Sequence, residues 1–364
     1  MISIVSDKRE SLMSSSVEKS TITQSPLTGQ NIVYGGIAWS VVAVLFFLLF
    51  SINAPDEDRP LWYMLGTYIL ESLPFLGAAL LCYRNWRSPQ IASGRNVWLG
   101  IGLGMLVWFM GNFIFGWWEL YWRLDPDVSP ADLFYLAFYV FLSWGMVLAV
   151  LPRRLNLEGW QWGTVAVIAV AGIALALLVW FAAPANSNGA DDAASLPATE
   201  QAESSAASPQ ASASSKASLV KASATLAKAN PAAMATVPEE PEKSNTKQPP
   251  GWVMSIQDAL QPLSKPVNFF YIVGDVFLLI IASTLLLAFW GGRFAQSWRM
   301  IAAATFCLYI VDMWFKYIDA TAIDYKSGSL PEVLYVFSGV LFGVGAALEY
   351  DVSSRSRRST RKRT

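Results

Sequence analysis

The chain has 364 residues, of which 54% are hydrophobic and only 15% charged, with 16 tryptophans and a formal net charge of −1. Soluble domains carry charge on about a quarter of their residues, so this composition points to lipid as the solvent for most of the chain. Histidine is absent, which excludes His-ligated haem, His-containing zinc or iron sites, imidazole acid–base catalysis and phosphohistidine relays.

Residues 1–31 are polar and Ser/Thr-rich, without the basic start, short apolar core and cleavage site of a secretory signal, and are expected as a cytoplasmic tail. Five apolar runs follow at 32–53, 61–83, 97–118, 131–151 and 160–183. Each is close to the roughly 20 residues that cross a hydrocarbon core of about 30 Å. Residues 184–250 are Ala, Ser, Pro, Lys and Glu without apolar periodicity, and are expected as a disordered linker. Trp252, Val253, Ile256, Ala259, Leu260 and Leu263 then recur at helical spacing, which predicts a short amphipathic helix in the membrane interface. Three further runs occupy 267–290, 298–318 and 330–350, and a basic segment over 351–364 is expected as an unstructured cytoplasmic tail. Cys82 and Cys307 lie inside separate apolar runs and read as small packing residues.

Orientation follows from Lys and Arg in the short loops. Arg84, Arg87, Arg95, Arg153, Arg154, Arg293 and Arg299 fall on one side, together with the C-terminal arginines. The opposite short loops hold only Arg59, Arg123 and Lys326 among Asp56, Glu57, Asp58, Asp125, Asp127 and Asp324. Both termini are therefore expected to be cytoplasmic, with the long linker on the other face.

A shift of 200 residues superposes the third and fourth spans on the seventh and eighth without a gap. Asn112 meets Asp312, Glu119 meets Asp319, Ser129 meets Ser329, Asp132 meets Glu332, Tyr135 meets Tyr335 and Gly145 meets Gly345. A shift of 204 places Glu71 on Asp275, with Tyr68 and Tyr271 just before them. The fold class expected is all-α integral membrane, eight transmembrane helices arranged as two parallel four-helix repeats. The first repeat covers 32–151, and the second opens with 160–183 and resumes over 251–350 beyond the linker. An even number of spans per copy makes the copies parallel, related by an axis along the membrane normal. A flexible linker of this length reaches about 45 Å, enough to join the halves in almost any arrangement.

Ser129, Pro130, Ala131 and Asp132 open the fourth span, and Ser329, Leu330, Pro331 and Glu332 the eighth. Both read as capping boxes, with the serine oxygen on an early backbone N–H and the acid reaching back. Glu71, Asp275 and Asp312 differ, because they fall within apolar spans. A charge at the middle of a membrane helix costs about 2.5–3.5 kcal/mol on insertion scales, so each requires a partner, a proton or water. Counted at 1.5 Å per residue, Glu71, Asn112, Asp275 and Asp312 all lie roughly 9–15 Å below the outer edge. They are expected either to line a polar cavity open to the non-cytoplasmic side or to hold the helices together by hydrogen bonds. Trp117 and Trp118, with Trp108, Tyr121 and Trp122, are read as an interfacial aromatic belt or as a stacking wall beside the acids. Lys316, one turn after Asp312, is expected to form an i,i+4 ion pair with it. The C-terminal basic segment is expected to attract an anionic membrane surface.

The residues Gly111–Asn112, Trp117–Trp118–Glu119, Asp125–Pro126, 129–136, 271–275 and Asp312 together resemble the multi-span membrane input region found ahead of some bacterial diguanylate cyclases. The resemblance implies a bacterial inner-membrane sensor module. The departure is that no output domain follows the last span, so signalling is expected to need a separate membrane or cytosolic protein partner. No catalytic residues, cofactor, metal site or nucleic-acid footprint is expected, since no nucleophile–base pair or metal cluster can be assembled without histidine. The leading expectation is a non-enzymatic, sensor-like ligand-binding module or interaction scaffold in the lipid bilayer, with a small-molecule ligand. The alternative is a proton-coupled transporter built from parallel repeats.

Overall fold

The computed structural model describes residues 28–52, 59–124, 126–151, 158–182, 249–291, 294–321 and 327–361. The expected linker lies outside these residues apart from Pro249 and Pro250, as do most of the N-terminal tail and the loop residues Asp56–Asp58, Asp125, Arg153, Arg154, Arg293, Asp324 and Lys326. Nine α-helices are seen among the described residues: α1 (Gly29–Phe50), α2 (Leu61–Arg87), α3 (Arg95–Trp122), α4 (Asp132–Val150), α5 (Gly159–Ala182), α6 (Gly251–Leu260), α7 (Ser264–Ala288), α8 (Ala295–Ala320) and α9 (Val333–Arg361). Eight helical stretches are long and apolar enough to cross a membrane, the sixth being α6 and α7 together.

The segment expected as a short amphipathic helix is α6, and it joins α7 through a single 3-10 turn, Gln261–Leu263. One boundary departs from the sequence reading. The basic segment expected as an unstructured tail instead prolongs α9 to Arg361, since residues 351–361 contain neither proline nor glycine to stop a helix.

Six helices close into a ring in which α2 packs on α3, α3 on α4, α4 on α7, α7 on α8, α8 on α9 and α9 back on α2. Each half of the chain thus supplies one three-helix arc of the ring, and the arcs meet at α4–α7 and α9–α2. Outside the ring, besides the short α6, lie α1 against α9, and α5 against α7 and α8. Their apolar windows are only 11% and 22% buried, against 61% for α9, so most of their surface is left for hydrocarbon.

One end of the ring is filled. Trp98, Ile101, Met105, Leu142, Leu278, Trp298, Ile301 and Phe342 are buried there in a single apolar cluster contributed by all six helices with Phe75, Ala78 and Cys82. The close crossing of α3 and α4 depends on small residues, as at other membrane helix interfaces. A Cβ on Gly100 would lie 2.6 Å from Gly145 Cα, and one on Gly145 would lie 2.7 Å from Ile101 N. In α2, Pro74 cannot donate to the Leu70 carbonyl, and the indole Nε1 of Trp39 from α1 donates to it instead at 3.1 Å.

Candidate functional site

The other end of the ring is hollow. A cavity of about 540 Å³ opens between the six helices and reaches the loop residues Pro126, Asp127 and Ser327. Its floor is Trp108, Phe138 and Leu308, members of the apolar cluster that fills the opposite end. Trp108 is itself held flat by Phe75, with ring centroids 3.6 Å apart.

The walls are acidic and phenolic. Glu71 from α2, Asp312 from α8, Asp132 at the start of α4, Glu332 ahead of α9 and the loop residue Asp127 all line the space, with Tyr68, Tyr135, Tyr139, Tyr271 and Tyr335. Asp275 stands just behind, 2% exposed. The tyrosines tie the acids together. Tyr139 donates to Asp275 Oδ1 at 2.6 Å and to Asp312 Oδ2 at 3.1 Å, and Tyr335 donates to Asp312 Oδ1 at 2.7 Å. Tyr271 donates to Asp132 Oδ1 at 2.6 Å, Tyr68 to Glu119, and Tyr135 more weakly to Asn112 Oδ1 at 3.4 Å. Asn112 in turn donates to Ser72 Oγ at 2.8 Å.

Asp132 and Glu332 serve two ends at once. Asp132 Oδ2 accepts from Ser129 N at 2.7 Å, while Ser129 Oγ accepts from Ala131 N at 3.2 Å. Glu332 Oε1 accepts from Gly328 N and Ser329 N at 2.6 and 2.9 Å, and Ser329 and Glu332 close a reciprocal capping box. These acids start helices, as their motifs indicate, and the same side chains also form the cavity wall, with Glu332 beside Glu71.

Lys316 is the one basic side chain lining the cavity among the described residues. The sequence spacing pairs it with Asp312. Its ammonium donates to Asn268 Oδ1 on α7 and lies 4.9 Å from the centroid of the Tyr271 ring. It remains near enough to act electrostatically on both Asp275 and Asp312. Glu71 has different company: its charged neighbours are Glu332 and Glu119. Glu71 is 5% exposed, and its Oε1 is buried with no hydrogen-bond donor among the described residues.

Of the residues singled out in the sequence, Glu71, Asn112, Asp312, Asp132 and Glu332 meet at this cavity, with Asp275 directly behind. Trp117 and Trp118 do not reach it. Trp117 is 46% exposed beside Tyr121 and Trp122, and Trp118 is buried against Trp252 of α6. Tyr139, Asn268, Ser72 and Asp127 belong to the site and escaped the sequence reading. Tyr139 follows Tyr135 by four residues and so shares its helix face, a signal that was available. Among the described residues no three metal-ligating side chains of the usual kinds come together. Comparison with protein-family models, curated proteins and solved structures returns no match.

Proposed function

We propose that this multi-pass protein is a non-enzymatic, sensor-like binding module that takes a small molecule into the acidic cavity and acts through a separate protein partner. The observation that carries this reading is the one-ended shape of the cavity. Carboxylates, tyrosines and an amide converge on a space of ligand size, while the other end of the same ring is packed solid by tryptophan, phenylalanine and aliphatic side chains. Arg84, Arg87, Arg95 and Arg299 stand at the helix ends beside the filled end, so the positive-inside rule turns the cavity mouth away from the cytoplasm. The resemblance to bacterial cyclase input regions supports the same reading, and the interaction with a cytoplasmic partner would fall to the filled end, where α9 extends its basic turns.

We further propose that the cavity arose between two parallel copies of one unit. Gly145 packs on Ile101 just as Gly345 packs on Ile301. Trp98 and Trp298, 200 positions apart, are both fully buried with centroids 6.2 Å from each other. The junctions α2–α9 and α4–α7 exchange under the same shift, whereas the outer helices α1 and α5 do not.

Transport is the second reading, favoured by two neighbouring carboxyl pairs, Glu71 with Glu332 between the halves and Asp275 with Asp312 within the second. One labelling experiment separates the two. Cys82 and Cys307 are replaced by alanine, and single cysteines are placed at Ser327 and Thr67. A membrane-impermeant thiol reagent applied outside intact cells is expected to modify both, and the same reagent applied from the cytoplasmic side neither. Reaction from both sides would favour the transporter, and no reaction from outside would defeat the cavity as a binding site.

A further inference from the structure

We propose that the ligand of this cavity is an organic ammonium ion, held at Glu71; the proposal rests on the cavity being a binding site and names what it binds. The first argument is hydrogen-bond accounting. All five tyrosine hydroxyls that line the space donate to acceptors in the wall. The Asn112 amide donates to Ser72, and the Lys316 ammonium to Asn268. What faces inward is then mainly carboxylate and hydroxyl lone pairs and aromatic faces, beside the remaining N–H groups of Lys316, Asn112 and Asn268, and this acidic surplus is best matched by a ligand that brings positive charge.

The second argument comes from comparing the two halves. In the second half the chain supplies its own ammonium: Lys316 lies over Tyr271, accepted by Asn268 and acting on Asp275 and Asp312. In the first half the position matching Lys316 is Gly116, whose α-carbon faces the Tyr68 ring, so no cation stands at that position; Arg59 of the same half donates to Ser327 O and lies 5.6 Å from the centroid of the Tyr63 ring. Glu71 is left 95% buried, with side-chain hydrogen bonds to Asn112 and Glu332, an Oε1 that has no partner of its own among the described residues, and Glu332 and Glu119 as its acidic neighbours. A buried carboxylate without a counter-charge is strongly unfavourable, and a bound cation supplies one. The chain thus shows, with its own lysine, the recognition that its other half offers to a ligand: a carboxylate to neutralise the ammonium and a tyrosine face against it.

An ammonium group reaches this site either from a soluble amine or from the headgroup of an aminophospholipid. The experiment uses the full chain in nanodiscs of phosphatidylglycerol, which carries no ammonium, with empty nanodiscs as blank. Calorimetry is run with phenethylammonium, with 2-phenylethanol as its neutral counterpart and with 3-phenylpropionate as the anionic one. Saturable binding of phenethylammonium is expected, with the neutral and anionic compounds at least about tenfold weaker, and Glu71→Gln is expected to remove the preference while Glu71→Asp keeps part of it. Loss of phenethylammonium binding when phosphatidylethanolamine is added identifies the lipid headgroup as the source, and unchanged binding identifies a soluble amine. Equal binding of 2-phenylethanol overturns the proposal, because Glu71 would then act as a neutral group, and so does binding of the anion alone or of none of the three. The probe series needs no variant, so misfolding of Glu71→Gln does not rescue the idea. If Ser327→Cys and Thr67→Cys react from outside while no cation binds, the cavity stands and only its assigned ligand falls.

Discussion

Tyr139 illustrates how single side chains decide whether the carboxyl groups can stay where they are. Its hydroxyl bridges Asp275 and Asp312, which come from different helices, and Asp275 Oδ2 has no other described donor. The ring reaches that place by lying on Gly274, where a Cβ would stand 2.6 Å from its Cδ1. Tyr139→Phe keeps the ring and removes the hydroxyl, leaving Asp275 Oδ1 without its described donor and the two carboxyl groups without the group between them. The expected loss is about 1–3 kcal/mol of stability, read from denaturant unfolding in detergent. Tyr309→Phe removes a single hydrogen bond to Gly172 O between α8 and the peripheral α5, and is expected to cost about 0.6 kcal/mol, as hydrogen bonds between membrane helices commonly do. If the two variants unfold alike, the tyrosine bridge is not what holds the acid pair. The acids themselves were legible in the sequence because a carboxylate inside an apolar run stands out. Four of the tyrosines were visible as positions matched between the halves, but not their bonds to the acids, because an amphipathic ring near a helix end reads equally well as an interfacial belt residue. The same ambiguity placed Trp117 and Trp118 beside the acids, although one faces outward and the other packs on α6.

At the scale of helices, the break at Pro74 shows an element repaired by its neighbour. Proline removes the N–H that would bond Leu70 O, and Trp39 from α1 supplies one. This is also one of few polar ties between α1 and the ring. Trp39→Phe is therefore expected to destabilise by about 1 kcal/mol in the natural background. The same change should cost clearly less in Pro74→Ala, where α2 regains its own donor, so a double-mutant cycle should give a coupling of about 0.5 kcal/mol or more. Strict additivity would mean that the indole acts by packing alone. Helix positions were readable from hydropathy and length, since few other structures satisfy backbone hydrogen bonds in lipid. Which faces meet was not readable, because these helices are apolar all round and periodicity cannot separate a face turned to lipid from one turned to protein. The 3-10 join of α6 to α7 and the continuation of α9 to Arg361 were missed for a related reason. Composition marked both segments as polar or amphipathic, but only the absence of a helix stop predicts that they carry on.

The molecule as a whole is built so that neither half can close alone. The ring needs both junctions between the halves, α2 with α9 and α4 with α7, and the cavity draws its carboxylates from both sides of the chain. A first half in isolation would leave Glu71 facing lipid or water in place of Glu332 and the start of α9, and a second half would lose the Tyr139 hydroxyl from Asp275 and Asp312. Glycine contacts across the same seam are tight, with Gly339 of α9 so close to α2 that a Cβ would lie 3.0 Å from Phe75 N. Residues 1–184 and 249–364, expressed as two chains, are therefore expected to co-purify in mild detergent in equal amounts and to unfold together. Each expressed without the other should be degraded or aggregate, because an apolar seam meant for protein and a set of buried acids would be left without cover. Two fragments that are each monodisperse and unfold independently would show that the halves are self-sufficient bundles. In that case the cavity would be a crevice between domains free to move apart, and its closed floor would no longer argue against transport.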